Sequence, residues 1–339
     1  MKIKSLLVGA LSVFLMSCGG AKEADKTFTF YAGLQDDHAA LIAKEFQEKT
    51  GIKTDYVRMS SGEVLARLKA EKNNMTASVW YGGPADAFVT AGSEGLLEPY
   101  VSTEDKNIPE DLKSPKDYWT GIYIGYLGFV GNEKMLKEKG LVMPTSWKEL
   151  LDPKYKNEIV VAHPGSSGTA YTMVATLVQM MGEEKAMEYL KSLNENIRQY
   201  TKSGTAPGRM TGQGEATIGI TFLHDAIKYK KEGYSDIIIS SPKEGTGYEI
   251  GAVALLKNAP NPEAGKKFIN WVLTKEVEEL GETVGSYQFL SNKNAIPPKE
   301  ALELKDTKLI NYDFDWAGKN RVRLVEKFTT ETNTNAPKK

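Results

Sequence analysis

Two hydroxyl-rich turns offer the chemistry most directly read from this chain. Ser166-Ser167-Gly168-Thr169 precedes an apolar run with helical spacing, and Ser203-Gly204-Thr205 precedes Ala206-Pro207. The first N–H groups of a helix have no acceptor inside it, so amides and hydroxyls at such starts can converge on an anion. The same residues also suit helix capping, and both readings stand for Ser166, Ser167, Thr169 and Thr205. Ser61 faces the same choice, because it follows Ser60, whose spacing to Glu63 is that of a capping box. Arg58 and Arg209 either add charge to such a site or are solvated.

Acid–base chemistry has few candidates. Of the three histidines, His38, His163 and His224, only His224 has an acid directly after it, Asp225. Asp225 also fits a helix N-cap before Ala226-Ile227, and His224 fits a buried structural role equally well. A hydrolase would need Ser167 with His163 or His224 as its base. The chain has neither a G-x-S-x-G elbow nor an H-E-x-x-H helix, so no catalytic residue, metal site or cofactor is expected.

Positioning these groups requires alternating elements. Strand spacing over 27–31 is followed by helical spacing over 36–50, then a strand over 52–59 and a helix opening at Ser60. A third strand over 77–81 leads to Gly82-Gly83-Pro84, read as the start of another helix. The rhythm is βαβαβα, which predicts an α/β fold with a mostly parallel sheet. Ligands of such sheets bind where the chain leaves the carboxyl ends of strands. Those exits hold Gln35, Ser61 and Gly83, while Trp80 and Tyr81 either line the cleft or lie in the core. A glycine-punctuated stretch over 118–130 suits a crossing between two lobes. A second series then places strands over 159–163, 216–222 and 237–239 and helices over 170–181 and 184–197. The segment 249–256 reads as the returning strand, 262–280 as a helix and 297–328 as partly helical.

The 43 basic and 44 acidic residues leave a net charge of -1, which disfavours nucleic acid as a partner. The N-terminus is distinctive. Lys2 and Lys4 precede an apolar run from Leu6 to Met16, too short to span a bilayer and suited to a signal-peptide core. Leu15-Met16-Ser17-Cys18-Gly19 resembles a bacterial lipobox, so Cys18, the single cysteine, is expected to be lipidated. With one cysteine, disulfide and cysteine–zinc frameworks are excluded. The expected organisation is a signal peptide over 1–17 and a tether over 18–26. Lobe 1 is then expected over 27–122 and 247–290, and lobe 2 over 123–246 and 291–335.

Four segments occur together in order: Trp80 to Asp86 (WYGGPAD), Pro164 to Thr172 (PGSSGTAYT), Gln199 to Pro207 (QYTKSGTAP) and Ile218 to Asp225 (IGITFLHD). In them the chain resembles the periplasmic binding proteins of ATP-driven importers, in the ferric-iron, hexose-phosphate and phosphonate cluster. The resemblance implies a periplasmic-binding-protein type II fold, two α/β lobes joined by hinge strands with a ligand cleft between them. It also implies a cell-envelope location, a monomer, a small anionic solute and a permease as partners, and binding without turnover. Ferric-binding relatives carry two adjacent tyrosines after the strand matching 216–222; here that place holds His224-Asp225, and no Tyr-Tyr pair occurs among 16 tyrosines. His224-Asp225 is similar instead to the hexose-phosphate branch, in which this dipeptide and a later glutamate, matched by Glu249, hold sugar hydroxyls. Ferric iron and phosphonate remain the alternatives within the family.

Overall fold

Buried positions on the first helix recur at His38, Ala39, Ile42, Ala43 and Phe46, one face of a helical repeat that must meet a core. The computed structural model, which describes residues 27–337, shows what they meet. The chain begins β1 (Thr27–Ala32), α1 (Asp36–Thr50), β2 (Lys53–Arg58), α2 (Ser61–Ala70), β3 (Val79–Pro84), α3 (Ala85–Ser93), β4 (Leu97–Glu98) and β5 (Thr120–Asn132). Next come α4 (Glu133–Glu138), β6 (Ile159–Ala162), α5 (Gly168–Met181), α6 (Glu183–Asn194), β7 (Ile197–Thr201), α7 (Ala206–Gly212), β8 (Ile218–Phe222) and α8 (Leu223–Lys231). The last are β9 (Ile237–Ser240), β10 (Tyr248–Leu256), α9 (Pro262–Val272), α10 (Lys275–Leu280), β11 (Phe289–Leu290), α11 (Lys299–Leu302) and α12 (Phe314–Thr332).

Strand order is β2-β1-β3-β10-β5-β8-β6-β7, with β4 on β10 and both β9 and β11 on β5. The outer trios β2-β1-β3 and β8-β6-β7 are parallel, whereas β10 and β5 run antiparallel to their neighbours. The sheet is therefore mixed rather than mostly parallel, its two central strands β10 and β5 pairing antiparallel between the parallel trios. β5 serves both halves. Its residues 120–126 pair with β10, and 127–131 pair with β8.

Each half has its own core. In the first, Phe28, Phe46 and Phe268 meet with ring centroids 5.0–5.4 Å apart. The second gathers Phe129, Trp147, Tyr171 and Phe328 beneath α5, α6 and α12. Local expectations hold in most places. Gly51 at φ 70 ends α1, and Ser60 and Glu63 form the reciprocal capping box of α2.

Three details differ. Gly82 and Gly83 extend β3 at φ 86 and 96 instead of opening a helix, since Pro84 pairs with Gly251 of β10. The segment after α6 is the strand β7, held by β6. The helix expected over 262–280 breaks between α9 and α10, where the Thr274 hydroxyl donates to the Trp271 carbonyl at 2.8 Å. Expectations for the signal peptide, tether and Cys18 lie outside the described residues.

A buried ion pair ties the halves. Arg321 of α12 meets Asp86 of α3 at 2.9 Å, both almost wholly enclosed, and its guanidinium lies 4.3 Å from the Tyr171 ring. Burial pushes the Asp86 carboxyl up to about 6, an effect that Arg321 opposes. Arg321→Met is expected to lower the unfolding free energy by about 3–5 kcal/mol, because it strands a buried carboxyl. Urea denaturation measures this, and adding Asp86→Leu should recover most of the loss.

Candidate functional site

The parallel strands deliver their carboxyl ends to one place. β1 leads to Gln35, β2 to Ser61, β6 to Ser167, β7 to Thr205 and β8 to His224 and Asp225. These residues line a cleft between the two halves with about 420 Å³ of space unfilled by atoms, together with Thr169 and with Glu249 of β10.

Eight of the ten candidates from the sequence thus face one cavity. Gly83 and Ser166 do not line it. Gly83 stands behind the wall, where its N–H donates to the Tyr123 hydroxyl at 3.2 Å and a side chain would collide with the Ser61 hydroxyl. Ser166 is turned away, its hydroxyl bonding the carbonyls of Lys202 at 2.9 Å and His163 at 3.2 Å.

One end of the cleft is rich in donors. Ser167 caps α5, its hydroxyl accepting from the Ala170 N–H at 3.3 Å. Capping and cleft-lining coincide here, and the first amides of α5, Gly168 and Thr169, keep no intrahelical acceptor. Opposite lies the start of α2, whose Gly62 N–H donates across the gap to the Ser166 carbonyl at 3.0 Å. No side chain fits at Gly62, since its β-carbon would run into the backbone of Gly165 and Ser166. Arg58, at the carboxyl end of β2, is the one Lys or Arg among the described lining residues. It donates to the Leu34 carbonyl at 3.1 Å and to Ser203 of the other half at 3.3 Å. Helix N-termini and a guanidinium make this end attractive to negative charge.

The other end is rich in acceptors. The His224 ring stacks on Phe222, 5.6 Å between centroids and 16° between planes, and β5 makes room for it at Gly125. Its Nε2 lies 3.7 Å from an Asp225 oxygen and 3.8 Å from a Glu249 oxygen, while buried Nδ1 has no partner among the described residues. Burial lowers the His224 pKa, with Asp225 opposing, which favours the neutral ring. Burial, with Asp225 and Asp86 adding to it, holds the Glu249 carboxyl well above the usual range. Asp225 is not a cap. It lies inside the first turn of α8 and accepts from the Gln35 amide across the cleft at 2.6 Å.

Tyr123 and Gln288 also line the cleft. Tyr123 sits mid-strand on the crossing strand and Gln288 in a loop, so neither carried a local signal. Arg58 had one, its place at a strand's carboxyl end.

His163 is not set as a base for Ser167. The His163 nitrogens engage the Gly165 N–H at 3.0 Å and the Thr334 hydroxyl at 3.3 Å, away from Ser167. Among the described residues no group of three or more His, Cys, Asp or Glu side chains is arranged to hold a metal ion. None of their helices is long and apolar enough to cross a membrane.

Residues 85–320 match the model of the bacterial extracellular solute-binding protein family. The chain belongs to that family. Among solved structures, this solute-binding protein is similar to the periplasmic binding protein AfuA from Actinobacillus pleuropneumoniae, with exogenous fructose-6-phosphate bound. The TM-score is 0.88 at 41% identity, covering 91% of this chain and 100% of that one. Similarity to the periplasmic binding protein P5PA reaches a TM-score of 0.87 at 36% identity, over 90% and 99% of the two chains. An uncharacterized protein of Haemophilus influenzae strain Rd is 40% identical over 338 residues, 97% of each chain. The fold is thus the two-lobed one of periplasmic binding proteins, built for holding a solute.

Glu249 provides a test of the electrostatics. Its pKa is raised by folding, so its contribution to stability is complete below the ordinary 4.5 and is lost as pH rises through the folded value. Glu249→Gln removes that loss. In thermal unfolding without ligand the variant should pull ahead of wild type as pH increases, and its advantage should vanish in acid.

Proposed function

We propose that this solute-binding protein captures a small phosphorylated polyol, a hexose phosphate, between its lobes and delivers it to the permease of an ATP-driven importer. The observation that carries this reading is the pairing in one cavity of an anion-attracting end with an end of buried carboxyl acceptors. A phosphate suits the amides of α5 and the neighbouring hydroxyls, and sugar hydroxyls suit Asp225 and Glu249, since a carboxylate accepts from two neighbouring hydroxyls and a protonated carboxyl both donates and accepts. Fructose-6-phosphate bound to a protein 41% identical supports the same class. We place the lobes at 27–122 with 247–290 and at 123–246 with 291–335, a monomer held to a membrane by lipid on Cys18.

Ferric binding is the weaker reading. A hard trivalent ion needs several anionic oxygens. The cleft offers one tyrosine, Tyr123, whose phenol is pushed up by burial and by Glu249 and already accepts the Gly83 N–H.

Calorimetric titration of the protein should show tight binding of fructose 6-phosphate and weak or no binding of fructose. Asp225→Ala should weaken the phosphate ester by about tenfold or more, because buried partners lose their bonds. Stoichiometric ferric uptake with a visible tyrosinate band would overturn the reading. For the anchor, Cys18→Ser should move the protein from membrane to soluble fractions on cell fractionation.

A further inference from the structure

Behind Gln35 the hydrogen-bond network continues into the first lobe. The Ser286 hydroxyl donates to Gln35 Oε1 at 3.0 Å and lies 2.9 Å from His38 Nδ1; His38 Nε2 in turn lies 3.5 Å from the Tyr81 hydroxyl. All four side chains are buried, at 8% exposure for Gln35, 5% for His38 and 3% for both Ser286 and Tyr81.

Donor counting gives this chain of groups a direction. An amide oxygen only accepts, so the single hydroxyl proton of Ser286 goes to Gln35. The Ser286 oxygen must then accept from His38, which places the imidazole proton on Nδ1. The Nε2 lone pair is left for the Tyr81 hydroxyl. At the other end, the Gln35 amide nitrogen donates to Asp225 at 2.6 Å. A flipped amide would set its oxygen against the Asp225 carboxylate, and Ser286 would then donate to His38 Nδ1 with the imidazole proton on Nε2, so the His38 tautomer reports the direction of the amide.

We infer that Ser286 and His38 are positioning residues that lock the Gln35 amide with its N–H groups toward the cleft, making that wall donor-only. Gln35, His38, Tyr81 and Ser286 all belong to the first half, on α1, β3 and the segment between α10 and β11. Only the bond to Asp225 crosses to the other half. The bond to Asp225 selects the direction of the amide, and the buried Ser286 and His38 hold it. One Gln35 N–H holds Asp225, and the second is left for the solute. The wall selects an acceptor, such as an ether, carbonyl or phosphoryl oxygen, against a group that only donates. This role rests on the hexose-phosphate reading, whereas the His38 tautomer does not.

Two measurements test it. In protein labelled with nitrogen-15 histidine and free of ligand, His38 should show a neutral ring protonated at Nδ1, and Ser286→Ala should convert it to a tautomer mixture. A ring protonated at Nε2 in wild type overturns the lock, whatever the solute. In calorimetry with fructose 6-phosphate, run well below the melting transition, Ser286→Ala should weaken binding by about five- to thirtyfold, and the ligand-free melting temperature should fall by only about a few degrees because Gln35 and His38 each lose a buried partner. In a Gln35→Ala background the same substitution should cost nothing further. Unchanged affinity in Ser286→Ala, or an equal loss in both backgrounds, overturns the positioning role. Should wild type bind no sugar phosphate, the functional reading fails, and the tautomer alone decides the lock.

Discussion

Two carboxyl groups buried beside one imidazole nitrogen, with no Lys or Arg paired to either among the described residues, form the constraint on which the site depends. Asp225 and Glu249 come from different elements, α8 and β10, and each side chain is at most 4% exposed. Placing them there costs free energy. Cores on both sides must therefore hold the arrangement rigid. The Phe28–Phe46–Phe268 cluster and the packing beneath α5 and α12 do so, and β5 and β10 carry the alignment from one half to the other. The site is destabilised locally and supported globally, as binding sites often are.

Closure draws on a different set of interactions. Lys202 reaches Glu63 at 2.5 Å and Lys228 reaches Asp37 at 2.6 Å, each pair joining the two halves near the cleft. Such partly exposed pairs contribute about 0.2–1 kcal/mol each, too little to fix the closed state alone. A solute that satisfies both ends of the cleft binds the apposed lobes better than the separated ones, and that difference shifts the population. Asp86 and Arg321 work otherwise. Buried and paired, they tie α3 to α12, whereas the rim pairs are solvated enough to part and re-form.

Legibility in the sequence followed the range of the interactions. Ser167 and Thr169 were readable because a hydroxyl turn before helical spacing is a local signal, and Gln35 and Ser61 because they follow strands. The same local reasoning misassigned Ser166, whose neighbours in the turn offer two carbonyls that claim its hydroxyl. It also offered Asp225 as a cap, though α8 begins two residues earlier at Leu223. Glu249 had no local signal and was found by family resemblance. Tyr123, Gln288 and the Ser286–His38 contact depend on pairings across the fold, the last between residues 248 positions apart. No periodicity reports such a contact. The mixed sheet was missed for the same reason, since strand direction at β5 and β10 is a matter of pairing across the fold.

The sign pattern of the cleft narrows what suits it. Asp225 and Glu249 call for donors, while the Gln35 amide and the unclaimed amides of α5 call for acceptors. An ammonium group would serve the carboxyls but has nothing to accept from Gln35. A bare anion would serve the amides and be repelled by the carboxyls. A metal ion would need anionic oxygens that the cleft supplies only at one end. A hydroxyl both donates and accepts, so a row of them can run past Asp225, His224 and Glu249 with each bond satisfied in turn. Attached to a phosphate, such a row carries its negative charge at the end where helix N-termini and Arg58 gather. The polarity of the site therefore orients the solute as well as selecting it.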